Sequence, residues 1–74
     1  MKFNIQPGHD YIQLNQLLKL LGLAETGGEA NQVITDGEVE VNSIIETQKR
    51  KKLRPGDTVK WRKNIIEIVA DEDD

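Results

Sequence analysis

A chain of 74 residues with 36% hydrophobic and 31% charged side chains holds one small domain, whose core lies near the lower limit of independent stability. Without cysteine there is no disulfide framework, thiolate metal site or thiol nucleophile, and no apolar run approaches the roughly 20 residues of a membrane span. The net charge of −3 hides a segregation: residues 1–48 carry two lysines against seven acids, residues 49–63 carry eight cations against Asp57 alone, and residues 71–74 are all acidic, so the acidic total does not exclude an anionic partner.

Residues 2–6 alternate, with Phe3 and Ile5 on one side and Lys2, Asn4 and Gln6 on the other. This predicts a short edge strand, ended by Pro7-Gly8. The same alternation lacks the apolar block of a signal peptide, so the expected location is the cytosol. Asp10 with Gln13 three residues later forms an approximate capping box. Leu14, Leu17, Leu18 and Leu21 then recur at helical spacing, and Gly22 supplies the stop. Thr26-Gly27-Gly28-Glu29 is a better capping box and opens a second helix, expected to run to about Asp36 with Ala30, Val33 and Ile34 on one face.

Gly37 suits the left-handed residue after that helix. Val39 and Val41 alternate with Glu38 and Glu40, the period of a half-buried strand, and Asn42-Ser43 turns the chain. Ser43 to Thr47 reads as another short strand, and the basic run Lys49-Arg50-Lys51-Lys52 follows. Arg54-Pro55-Gly56-Asp57 is a turn. Thr58 to Arg62 alternates with Val59 and Trp61 inward, Lys63-Asn64 is expected to make the hairpin turn, and Ile65 to Ala70 forms the last strand. Residues 1–70 thus make one domain, and 71–74 form an acidic tail expected to be disordered.

The chemistry in this pattern points to phosphate. Lys and Arg bind structured RNA largely by charge and counterion release, and four consecutive cations followed by Arg54 let two or three reach one phosphate track. The competing reading is a solvated loop that happens to be basic. Thr26, Gly27 and Gly28 offer unhindered backbone N–H groups at the positive end of a helix dipole, against the plain alternative of a loosely wound first turn. Glu29 weighs against the anion site. Trp61 can stack on a base, but its alternation with Val59 favours the core. Lys60 and Arg62 then point the other way, to solvent or to RNA. His9 has no cysteine or second histidine with which to hold a metal, and nothing suggests a nucleophile or a nucleotide-binding glycine fingerprint. The expectation is a non-enzyme without cofactor or metal.

The leucine-rich first helix, the capped second helix with Ala30 and Ile34, then Asp36-Gly37-Glu38-Val39-Glu40-Val41-Asn42 and Arg54-Pro55-Gly56-Asp57-Thr58-Val59 together resemble the S-four RNA-binding domain, the domain of small-subunit ribosomal protein four. The resemblance runs from Ile12 to about Val59 and is closest to small stand-alone bacterial members. It implies an α+β fold: two packed short helices followed by a small, curved, mostly antiparallel sheet (the αL-type RNA-binding motif), with an extra N-terminal strand in this chain. It also implies an RNA surface on the second helix and adjoining loop, here Thr26, Gly27, Gly28, Asn31, Gln32 and Thr35 with Lys49, Arg50, Lys51, Lys52 and Arg54. The family usually places arginine where Gly27 stands, and basic residues where Asn31 and Gln32 stand. The cationic weight therefore shifts to the loop. The implied partner is structured RNA, foremost ribosomal RNA, bound by a monomer in ribosome assembly or quality control. A protein-interaction module, or an accessory subunit that brings an enzyme to RNA, are the alternatives.

Overall fold

The computed structural model describes residues 1–70; the expected disordered tail lies outside them. Its elements in chain order are β1 (Lys2–Ile5), β2 (Ile12–Gln13), α1 (Leu14–Leu20), α2 (Gly27–Thr35), β3 (Val39–Val41), β4 (Ile44–Ile45), β5 (Lys52–Leu53), β6 (Thr58–Trp61) and β7 (Asn64–Ala70). Five strands form one sheet in the order β1-β7-β6-β3-β4, and β2 pairs with β5 in a separate two-stranded ribbon. All pairings are antiparallel except β1 with β7. The α+β architecture is as expected, and β1 takes the edge position that its alternation predicts.

Local chemistry sets most boundaries. The Thr26 hydroxyl accepts the Glu29 N–H at 3.0 Å, which starts α2. Both helices end in a Schellman motif. Gly22 and Gly37 take left-handed conformations (φ +73° and +77°), and the following Leu23 and Glu38 N–H groups donate to Leu18 and Val33 carbonyls. Asn42 (φ 53°) and Ser43 (φ 70°) form the two-residue left-handed turn that matches the twist of the β3–β4 hairpin.

Three boundaries differ from the sequence reading. Asp10 does not cap α1: Ile12 and Gln13 are drawn into pairing with Leu53 and Lys52, and the cap position falls on Gln13, whose side chain makes no capping bond. The hairpin between β6 and β7 turns at Arg62-Lys63 rather than Lys63-Asn64, because Trp61 pairs directly with Asn64. This puts Arg62 in a left-handed conformation at φ 57° instead of in the strand. The strand expected over Ser43 to Thr47 shrinks to Ile44–Ile45.

The core is one cluster. Leu14, Leu17 and Leu18 of α1 and Ala30, Val33 and Ile34 of α2 meet Val39, Val41, Val59, Trp61, Ile66 and Ile68 from one face of the sheet, with Leu53 of β5. Among the described residues every fully buried side chain is apolar. The sheet's other face carries Glu40, Lys60 and Ile65 in register, away from the helices.

Candidate nucleic-acid interface

The basic run is held by its backbone, which leaves its side chains free. Residues 46–51 form no strand, yet the Lys49 and Lys51 carbonyls accept the Asn15 and Leu14 N–H groups at 3.0 and 2.9 Å. These are first-turn donors of α1 that have no partner within the helix. The loop thereby serves as the cap that Asp10 does not provide. Lys52 follows in β5, paired with Gln13, and the buried Leu53 anchors the segment. Lys49, Arg50, Lys52 and Arg54 are exposed and Lys51 is half-buried. Among the described residues none of these five cations forms an ion pair. Asp57, whose carboxyl feels the charges of Lys51 and Arg54, offsets only part of their charge.

Arg54 is placed by the turn that follows. The Asp57 carboxylate accepts the Arg54 N–H at 2.8 Å and the Asn42 amide at 3.0 Å, and Asn42 Oδ1 accepts the Thr58 N–H at 2.9 Å. Partial burial pushes the Asp57 carboxyl up. The hydrogen bonds from Arg54 and Asn42, with the charges of Lys51 and Arg54, outweigh that and hold it below its ordinary value. The last residue of one recognised motif is thus bonded to two residues of the other. This accounts physically for their joint presence.

Asn15 joins the loop to the second helix. Its N–H donates to Lys49, and its side-chain amide donates to Asn31 Oδ1 at 3.1 Å. The sequence reading gave Asn15 no role, because the spacing of 16 residues to Asn31 and the loop contact are both tertiary. Gln32 and Thr35 on α2 are exposed and bonded locally. Gln32 donates to Asp36 at 2.8 Å, and the Thr35 hydroxyl donates to the Asn31 and Gln32 carbonyls. A β-carbon on Gly27 would meet no neighbour within 4 Å, and one on Gly28 would meet only Thr26 Oγ1 at 3.8 Å. No close backbone approach explains either glycine.

Two expected residues stand apart from this surface. Lys60 lies on the sheet face away from the helices, opposite Glu40. Arg62 is turned over the Trp61 ring, 4.6 Å from its centroid, and pairs with Glu38 at 3.6 Å. Trp61 itself is core, with its indole N–H donating to Glu38 at 3.4 Å. Tyr11 is 37% exposed, with the Lys52 ammonium 5.0 Å from its ring centroid. Among the described residues no cluster of ligating side chains fits a metal, and no helix is long and apolar enough to cross a membrane.

Comparison with known proteins bears on the fold and the family. The family model described as S4 domain matches residues 4–69. The chain is 39% identical over 62 residues to the "Putative RNA-binding protein YbcJ" of Escherichia coli (strain K12), covering 84% of this chain and 89% of that protein. The same identity and coverage hold for an uncharacterised YbcJ of Shigella flexneri. The solution structure of E. coli YbcJ, described as revealing an ALFAL motif involved in RNA binding, superposes with a TM-score of 0.71 at 36% identity, covering 93% of this chain and 86% of that one. By fold, motif and sequence, the chain belongs to the S4 domain family.

Proposed function

We propose that this protein is a non-enzymatic RNA-binding protein of the cytosol that recognises the shape and phosphates of structured RNA. Its surface is the loop Lys49 to Arg54 with the adjoining face of α2. The observation that carries the reading is the immobilised loop: its backbone caps α1 while five cations stand without an ion pair among the described residues. A loop fixed in this way presents charge without a large ordering cost on binding. The family supports it, since the E. coli relative is named for RNA binding. Ribosomal RNA, a dense and folded phosphate array, is the foremost candidate, met by a monomer during subunit assembly or quality control.

Binding to ribosomal RNA fragments and to an unstructured RNA of equal length, followed across a salt series, tests this. A few phosphate contacts give a log–log slope of about −2 to −4. The quadruple change of Lys49, Arg50, Lys51 and Lys52 to Ala should flatten that slope and remove the preference for structure. A wild type that binds no RNA at low salt would reject the proposal. A second reading, a protein-interaction module, draws on the β4 edge, where Ile44 and Ile45 are 72% and 61% exposed. It predicts that RNA binding is absent or independent of the basic run.

A further inference from the structure

The basic loop does not end at its phosphate-binding charges. Lys52 lies over the ring of Tyr11, 5.0 Å from the centroid, and Tyr11 keeps 37% of its surface exposed. The ring also walls two adjoining clefts, of about 470 and 410 Å³. Tyr11 is thus the residue shared by the cationic edge and the clefts. The larger cleft has an apolar floor from Phe3, Ile5 and Ile12. The exposed His9 and Gln16 line both, and Gln13 lines the smaller, so ring and amide hydrogen-bonding groups border the apolar surface. Apolar and aromatic surface rimmed by a few polar groups suits a flat heteroaromatic ring with hydrogen-bonding edges.

Building on the RNA-binding reading, we propose that Tyr11 is the stacking platform for a single unpaired RNA base. The base enters the cleft beside Phe3 and Ile12 while its phosphate stays with Lys52 and the rest of the basic run. The charge selects the class of occupant. Lys52 borders the site on one side and continues the basic run, so an anionic chain is drawn to the Tyr11 edge of the cleft. A duplex offers no free base face at such a platform, whereas a bulge, loop or strand end does. The preference for structured RNA then becomes a preference for a helix interrupted by an unpaired nucleotide. Base–aromatic stacking tolerates any base, and Gln13, Gln16 and His9 are the groups that would discriminate among base edges.

The test uses a matched pair of RNA hairpins, one with a single unpaired adenosine in its stem and one with that adenosine paired. Tyr11 is the only tyrosine in the chain, so its ring protons give a single set of NMR signals. Those signals should move upfield on adding the bulged hairpin, under the ring current of a stacked base, and should move little with the paired one. The wild type should bind the bulged hairpin roughly tenfold more tightly. Tyr11→Phe should keep that preference, and Tyr11→Leu should lose it while binding the paired hairpin as the wild type does. Equal binding of both hairpins with an unmoved tyrosine signal overturns the stacking proposal and leaves the phosphate surface standing. Failure of the wild type to bind either hairpin at low salt overturns both. The ring signal is read on the wild type, so the result does not depend on the stability of any variant.

Discussion

Single side chains at the interface act less as contacts than as fasteners. Asp57 is the clearest case. It holds the Arg54 N–H and the Asn42 amide, and its carboxyl lies below the ordinary carboxylate range despite partial burial. A group whose folded pKa is depressed adds stability above its unfolded value and gives it up as pH falls. Stability should therefore hold through neutral pH and drop as acid protonates Asp57, below about pH 4. Asp57→Asn should lack that part of the acid limb in urea melts taken at several pH values. Asp57→Ala should cost about 1–2 kcal/mol at neutral pH by exchanging two intramolecular hydrogen bonds for bonds to water. A pH profile identical in wild type and Asp57→Asn would show that the carboxylate carries no such role. Asn15 fastens the loop to α2 in the same manner. Alanine at Asn15 and at Asn31, singly and together, should give a coupling energy of about 0.5–1.5 kcal/mol in a double-mutant cycle. RNA affinity should fall in both single variants, and at least as much for Asn31→Ala, because each cuts the same link and Asn31 also lies on the proposed RNA face.

Elements show where sequence reasoning reaches and where it stops. Both helix ends, the α2 start and the β3–β4 turn were legible, because each is decided within about six residues by a glycine, a threonine or an asparagine with a suitable backbone preference. The start of α1 was not. Asp10 and Gln13 satisfy a local capping rule, yet the donors of Leu14 and Asn15 are taken by carbonyls more than thirty residues later in the chain. The basic run was legible as charge, but its role as that cap, and hence its rigidity, was not. Arg62 was misplaced because a one-residue shift of a hairpin turn moves a side chain from a strand face to the turn. The two glycines of α2 remain the most informative element-scale test. Neither has a positive φ, and neither would clash as alanine. Gly27→Ala and Gly28→Ala should each stabilise the domain by about 0.4–1 kcal/mol in thermal or urea unfolding. Thr26→Ala should destabilise it by about 1 kcal/mol. If the helix start also admits a phosphate, the stabilised glycine variants will bind RNA more weakly. Unchanged affinity assigns the glycines to a loosely wound first turn alone.

At the scale of the whole molecule, the fold fixes where the charge that the sequence already segregates is presented. The β2–β5 ribbon and the α1 cap bring the basic loop beside the helix pair, while Glu40 and Glu67 sit on the sheet face turned away from the helices. The acidic residues 71–74 follow β7, and their four charges set the sign of the total: removing them takes the chain from −3 to +1. We propose that this tail competes with RNA for the loop and suppresses indiscriminate binding. The alternative is a purely solubilising end. The two separate on salt. At about 0.01 M the screening length is about 30 Å, so the tail's field reaches the loop whatever its position; near 0.15 M it is about 8 Å and only close contact survives. Truncation after Ala70 should raise affinity for random-sequence RNA at low salt. A rise that persists at physiological salt means that the tail occupies the loop directly, whereas one that vanishes means that it acts through the field alone. No rise at either salt leaves the tail without a regulatory part. Affinity for the preferred structured RNA should change less than affinity for random RNA, because the proposed shape recognition adds contacts whose strength the tail's charge does not set.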